Sequence, residues 1–154
     1  MTGIYFVLKW LHVISSTVLF GFGAGIAFFF VRAQRTADVQ VIAAVAREVV
    51  QADLWFTTAA VVIQPATGLA MMVVAGLPLS LHWIWVSVLL YLIVGACWLP
   101  VVWLQMRMRD MAISSAASGT TLPEAYFRCY RWWFALGWPA FAGVLAIFWM
   151  MVTK

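Results

Sequence analysis

Four long stretches of this chain are apolar almost without a break. They run over about Ile4–Val31, Leu54–Val74, Leu81–Leu104 and Trp132–Val152. Each reaches the roughly 20 residues a helix needs to cross a bilayer. The pattern predicts an all-α membrane protein, a four-transmembrane-helix bundle forming a single domain over residues 1–154. The connections differ in kind. "AGLPLS", Ala75–Ser80, is an uncharged turn marked by Gly and Pro. Between the first two stretches Val41, Ile42, Val45 and Val49 recur at helical steps, while Arg47 and Glu48 point elsewhere. That spacing predicts a helix over about 37–53, lying on the membrane or extending from it. Before the last stretch "SSAASGTT" reads as a flexible loop. Thr121 and Glu124 of the following "TLPE" have capping-box spacing.

Composition agrees with the pattern: 66% of residues are hydrophobic and 9% charged, against about 25% charged in soluble domains. The charges give an orientation. Arg32, Arg35, Arg47, Arg107, Arg109, Arg128 and Arg131 fall in the two longer loops, and only Lys9 and Lys154 lie on the other side. Positive residues stay inside, so both termini are expected outward (periplasmic) and the two longer loops cytoplasmic. The formal net charge of +4 therefore reports topology rather than nucleic-acid binding, and the lipid bilayer is the first partner. Tryptophans near several helix ends fit an aromatic belt. Cys97 and Cys129 lack CxxC spacing and read as buried thiols rather than a disulfide or a metal site. No basic segment precedes the first apolar run and arginines follow it, which argues against a cleaved signal peptide.

Candidate chemistry rests on polar residues inside the spans. Lys9, His12, Ser16 and Gly23 share a helical stripe. Lys9 can snorkel to the outer headgroups. His12 lies roughly 12 Å deep at 1.5 Å per residue, too deep for that escape. It is expected to make an interhelical hydrogen bond, to ligate a cofactor or metal, or to relay protons. In the second span Thr57, Gln64, Thr67 and Gly68 share a broad face, and Pro65 kinks the helix. Gln64 either bonds a neighbouring helix or lines a cavity with His12. His82 opens the third span about 10 Å above His12 in axial rise. That height disfavours a shared haem iron or a two-histidine copper or zinc site, and suits an interfacial histidine. Arg128 and Arg131 suit anionic headgroups or, alternatively, cofactor propionates.

The whole chain resembles the predicted bacterial integral membrane proteins of domain-of-unknown-function family 2269, through "KWLHVISSTVLFGFGAGIAFF", "QPATGLAMM" and "GWPAFAGVLAIFWMMVTK". That likeness implies a multi-pass protein of the bacterial inner membrane and no assigned activity. A lysine-x-x-histidine pattern opening the first span, the "TGL" patch Thr67–Leu69 and "YFRCYRWW" are also similar, more distantly, to HemJ-type protoporphyrinogen oxidases and CopD-like membrane domains. The HemJ resemblance implies that His12 is a haem b ligand. The third-span lysine of that type is missing, since Ile84, Trp85 and Val86 stand at its place.

Three readings of function follow. The first is a small b-type haem protein of redox type, with His12 as axial ligand, Gln64 and Ser16 supporting it, and His82 as a further candidate. No soluble catalytic constellation exists, so an enzyme here would work through such a cofactor, by electron transfer. The second is a non-catalytic accessory or structural subunit without cofactor, alone, as a homo-oligomer or within a larger membrane complex. The third is metal or small-solute transport.

Overall fold

A computed structural model describes residues 2–153. Helix α1 spans Thr2–Gln34 and α2 spans Val39–Ala52; a π-helical turn covers Asp53–Thr57; α3 spans Thr58–Ala75, α4 His82–Ser118 and α5 Glu124–Thr153. Four helical rods are long and apolar enough to cross a membrane, over 3–34, 39–75, 82–118 and 124–153. The all-α, four-span reading therefore holds.

The rods outrun the predicted spans, by far the most at the arginine-rich end. Helix α4 has 37 residues, about 55 Å at 1.5 Å per residue, whereas the bilayer core is about 30 Å thick. Ser114–Ser118 of the expected flexible loop are helical. The small, non-branched side chains of that stretch are compatible with helix, and Ser115 is buried. Helix α4 stops only at Gly119, whose φ of 63° lets the Thr120 N–H return to the Ser115 carbonyl at 3.0 Å. Helix α3 ends the same way at Gly76, φ 64°. The expected capping box is not formed: α5 begins at Glu124 itself. Pro123 presets the first turn and accepts from the Tyr126 N–H at 2.9 Å, leaving Thr121 outside the helix.

The π turn joins helix α2 to α3 in one continuous rod. Asp38 caps α2, its carboxylate accepting from the Gln40 N–H at 2.8 Å. The buried stripe is Ile42, Ala43, Ala46, Val49 and Val50. Val41, expected on that stripe, is exposed.

Helix α1 packs along α3, and α4 along α5. At the arginine-rich end α2 wedges between α1 and α4. The main core sits there, built from Phe30 and Ala33, the α2 stripe, Met108 and Ala112, and Tyr126 and Trp133. Gln34 donates to the Tyr126 hydroxyl at 2.7 Å, and Gln40 to the Ala116 carbonyl at 2.9 Å. Water drives apolar burial, whereas lipid gives helices no hydrophobic reason to associate. The arginine-rich end is packed like a soluble bundle. Over the rest of their length the two helix pairs stand apart, and α1 and α5 touch only lightly, Phe20 stacking on Phe141 at 5.0 Å.

Candidate functional site: a histidine clamp and an interhelical groove

His12 is engaged by α3 on both ring nitrogens. The Thr67 hydroxyl donates to the Ile63 carbonyl at 2.8 Å, so it accepts from His12 Nδ1–H at 2.9 Å. Nε2 then accepts from the Gln64 amide at 3.3 Å, and Gln64 Oε1 accepts from Ser15 Oγ. The directions form one consistent chain, from Ser15 through Gln64 and His12 to Thr67, with the imidazole neutral and protonated on Nδ1. Gly68 lets the ring approach: a Cβ there would lie 3.2 Å from His12 Cε1. The chain makes His12 the clamp between α1 and α3.

Among the sequence candidates, Gln64 does join His12. Ser16 does not; its hydroxyl returns to the Val13 carbonyl of its own helix at 2.8 Å. Ser15, three residues after His12, has the place expected of Ser16, because the 3.6-residue period carries position i+3 as well as i+4 onto a shared face. His82 stands exposed at the start of α4, its ring edge-on to Trp85 with centroids 5.4 Å apart. It belongs to the α4–α5 pair and His12 to the α1–α3 pair. Lys9 is exposed, as a snorkelling lysine should be.

Axial ligation of a haem by His12 needs an imidazole nitrogen with a free lone pair and open space in front of it. The Nε2 lone pair already accepts from Gln64, and His12 does not line the cavity between the helix pairs. The arrangement does not fit the cofactor. Among the described residues no group of three His, Cys, Asp or Glu could hold a metal ion.

That cavity is the feature sequence reasoning missed. It has a volume of about 380 Å³ and lies between the α1–α3 and α4–α5 pairs. Phe20, Val94, Phe141 and Phe148 are among its apolar walls. Gly23, Gly95 and Gly137 line it too, and a Cβ at any of them would meet nothing within 4 Å. Its polar end is built on the π turn. Asp53 and Thr57 are both buried at 4% exposure, while Leu54, Trp55 and Phe56 between them face out. The Gln105 amide, oriented to satisfy its neighbours, donates to Asp53 Oδ2 at 3.0 Å and accepts from Trp133 Nε1 at 3.1 Å. The Thr57 hydroxyl and the Trp98 indole N–H face the same carboxyl. Asp53, an acidic residue at the very edge of the apolar run from Leu54, was the available signal; a π turn often marks a functional position, but its five-residue step is invisible to a periodicity of 3.6.

One further contact ties the pairs together. Pro65 has no N–H, so the Val61 carbonyl four residues back loses its helical partner. The Tyr91 hydroxyl of α4 donates to that carbonyl.

Neither the curated proteins nor the solved structures contain a match to this chain, so the HemJ- and CopD-like likeness has no counterpart among them. The family comparison does match: residues 6–154 fit the profile of the family described as predicted integral membrane protein, DUF2269, and the chain belongs to that family.

Proposed function

We propose that this protein is a non-catalytic binding protein of the bilayer, whose groove between two helix pairs takes up a lipophilic molecule. The observation that carries the reading is the cavity of about 380 Å³, within the range of about 300–1,000 Å³ typical of small-molecule sites, with apolar walls and a few convergent polar groups at one end. Its three open glycine positions support the same reading, because they leave room that helix contact does not require. The positive-inside rule sets the arginine-rich end, and with it the polar floor, on the cytoplasmic side of a bacterial inner membrane. His12 holds the wall of the groove and takes no part in chemistry.

The test is native mass spectrometry of protein released from mild detergent. Wild type is expected to carry a lipophilic adduct that the Gly23→Leu/Gly137→Leu variant lacks, since the two leucines fill the groove. Equal adducts on both proteins would overturn the reading. So would a Soret band in the purified protein that His12→Ala abolishes, which would restore the haem reading.

A further inference from the structure

Where the groove nears the arginine-rich end, α1 changes character within one turn. Its apolar run ends at Val31, and Arg32 and Arg35 follow. Ala27, Phe28, Val31, Arg32 and Arg35 line a second, shallow pocket of about 260 Å³. Ala27 and Val31 line the main groove as well, so the two spaces adjoin. Phe20, Ala24, Ala27 and Val31 recur at three- and four-residue steps, and Arg35 is the next of the series. One face of α1 therefore carries the groove wall and a cation in a single line. Resting on the lipophile-binding reading above, we infer that the occupant is an anionic phospholipid, its phosphate on Arg32 and Arg35 and an acyl chain in the groove between the helix pairs. Both arginines are exposed. Arg109 pairs with Asp110 at 2.8 Å, and Arg107 lies over the Trp103 ring, 4.8 Å from its centroid. Among the described residues neither Arg32 nor Arg35 has a carboxylate partner. Side chains three residues apart on a helix are neighbours, and guanidinium forks match phosphate oxygens, so two free charges stand ready for one phosphate. Tyr130 of α5 lies near enough to Arg35 to feel its charge, which sets that arginine on the side of α1 that faces α5. The groove itself is lined by one acidic side chain, Asp53, and among the described residues by no basic one, so an anionic head is attracted only outside it. Ala27, Phe28 and Val31 beside the arginines add an apolar wall, which a free anion has no use for and a lipid does.

The experiment titrates the full chain in non-ionic detergent with dioctanoyl phosphatidylglycerol and with dioctanoyl phosphatidylcholine, which share their chains and differ in net charge. Native mass spectrometry reads the bound fractions. Phosphatidylglycerol is expected to bind about tenfold more tightly. Arg32→Gln and Arg35→Gln are each expected to weaken it about three- to fivefold and to leave phosphatidylcholine little changed, which also reports that the variants are folded. Arg32→Lys/Arg35→Lys should keep most of the preference. Arg47 is exposed and lines neither cavity, so Arg47→Gln removes the same charge and should change neither lipid. Excess inorganic phosphate should displace neither. Equal affinity for the two lipids would overturn the inference. So would equal weakening by Arg47→Gln, the mark of diffuse attraction, or displacement by inorganic phosphate, the mark of a free-anion site. If the two lipids bind wild type alike and Gly23→Leu/Gly137→Leu abolishes both, the groove reading stands and the anionic-head inference falls. If the two leucines leave both lipids bound as before, the groove reading falls and the inference with it.

Discussion

Proline and tyrosine illustrate how single residues act here. Pro65 orphans a carbonyl inside a membrane helix, and a hydroxyl from the other helix pair takes it up. Tyr91→Phe keeps the ring and removes the bond. It is expected to lower stability by about 1–3 kcal/mol, read as a lower thermal midpoint in detergent, whereas Pro65→Ala with Tyr91→Phe should recover part of the loss because the backbone N–H returns. The histidine clamp makes a similar prediction. His12→Leu strands the Gln64 amide and should destabilise by about 1–3 kcal/mol. His82→Leu, at an exposed position, should change the midpoint little. The depth of His12 was legible in the sequence, and so was its need for a partner. The choice between cofactor and clamp was not, because it depends on which side chains of α3 meet the ring. That register is a property of packing, and Ser15 rather than Ser16 shows how one residue of register decides it.

Among the elements, the α4–α5 pair makes the tightest approach. A Cβ at Gly143 would lie 2.5 Å from Val94 Cγ2, which no ordinary contact allows. Gly143→Ala should therefore destabilise by about 1–3 kcal/mol through overpacking, and Val94→Ala in the same chain should relieve it. A double-mutant cycle on thermal midpoints checks this, and additive effects would contradict it. The elements themselves were largely readable from apolar runs and from Gly76 and its neighbours. Their ends were not. The two alanines of 114–118 favour helix and Ser115 is buried, which carries the helix on to Gly119 through a stretch whose serines suggest a loop. The π turn was hidden for a different reason: one extra residue in the ladder leaves no trace in composition.

At the scale of the molecule, stability is divided unequally. The packed core lies at the arginine-rich end, whereas the rest of the bundle encloses the groove. Met108→Ala, at a fully buried site of the arginine-rich end, should cost about 2–5 kcal/mol. Leu92→Ala, at a position 63% exposed on the outer face of α4, should cost far less, since lipid fills the vacated space. Comparison of the two thermal midpoints checks the division. Four spans and their charge asymmetry follow from the sequence because each is a one-dimensional property. The groove is a space between helices remote in sequence, so no local pattern announces it. The central claim is that this space is a binding site. Its most direct measurement is the saturable uptake of decylbenzene by wild type and by Gly23→Leu/Gly137→Leu under identical conditions. The account predicts about one molecule per chain for wild type and none above the detergent background for the filled variant. Equal uptake by both would contradict it.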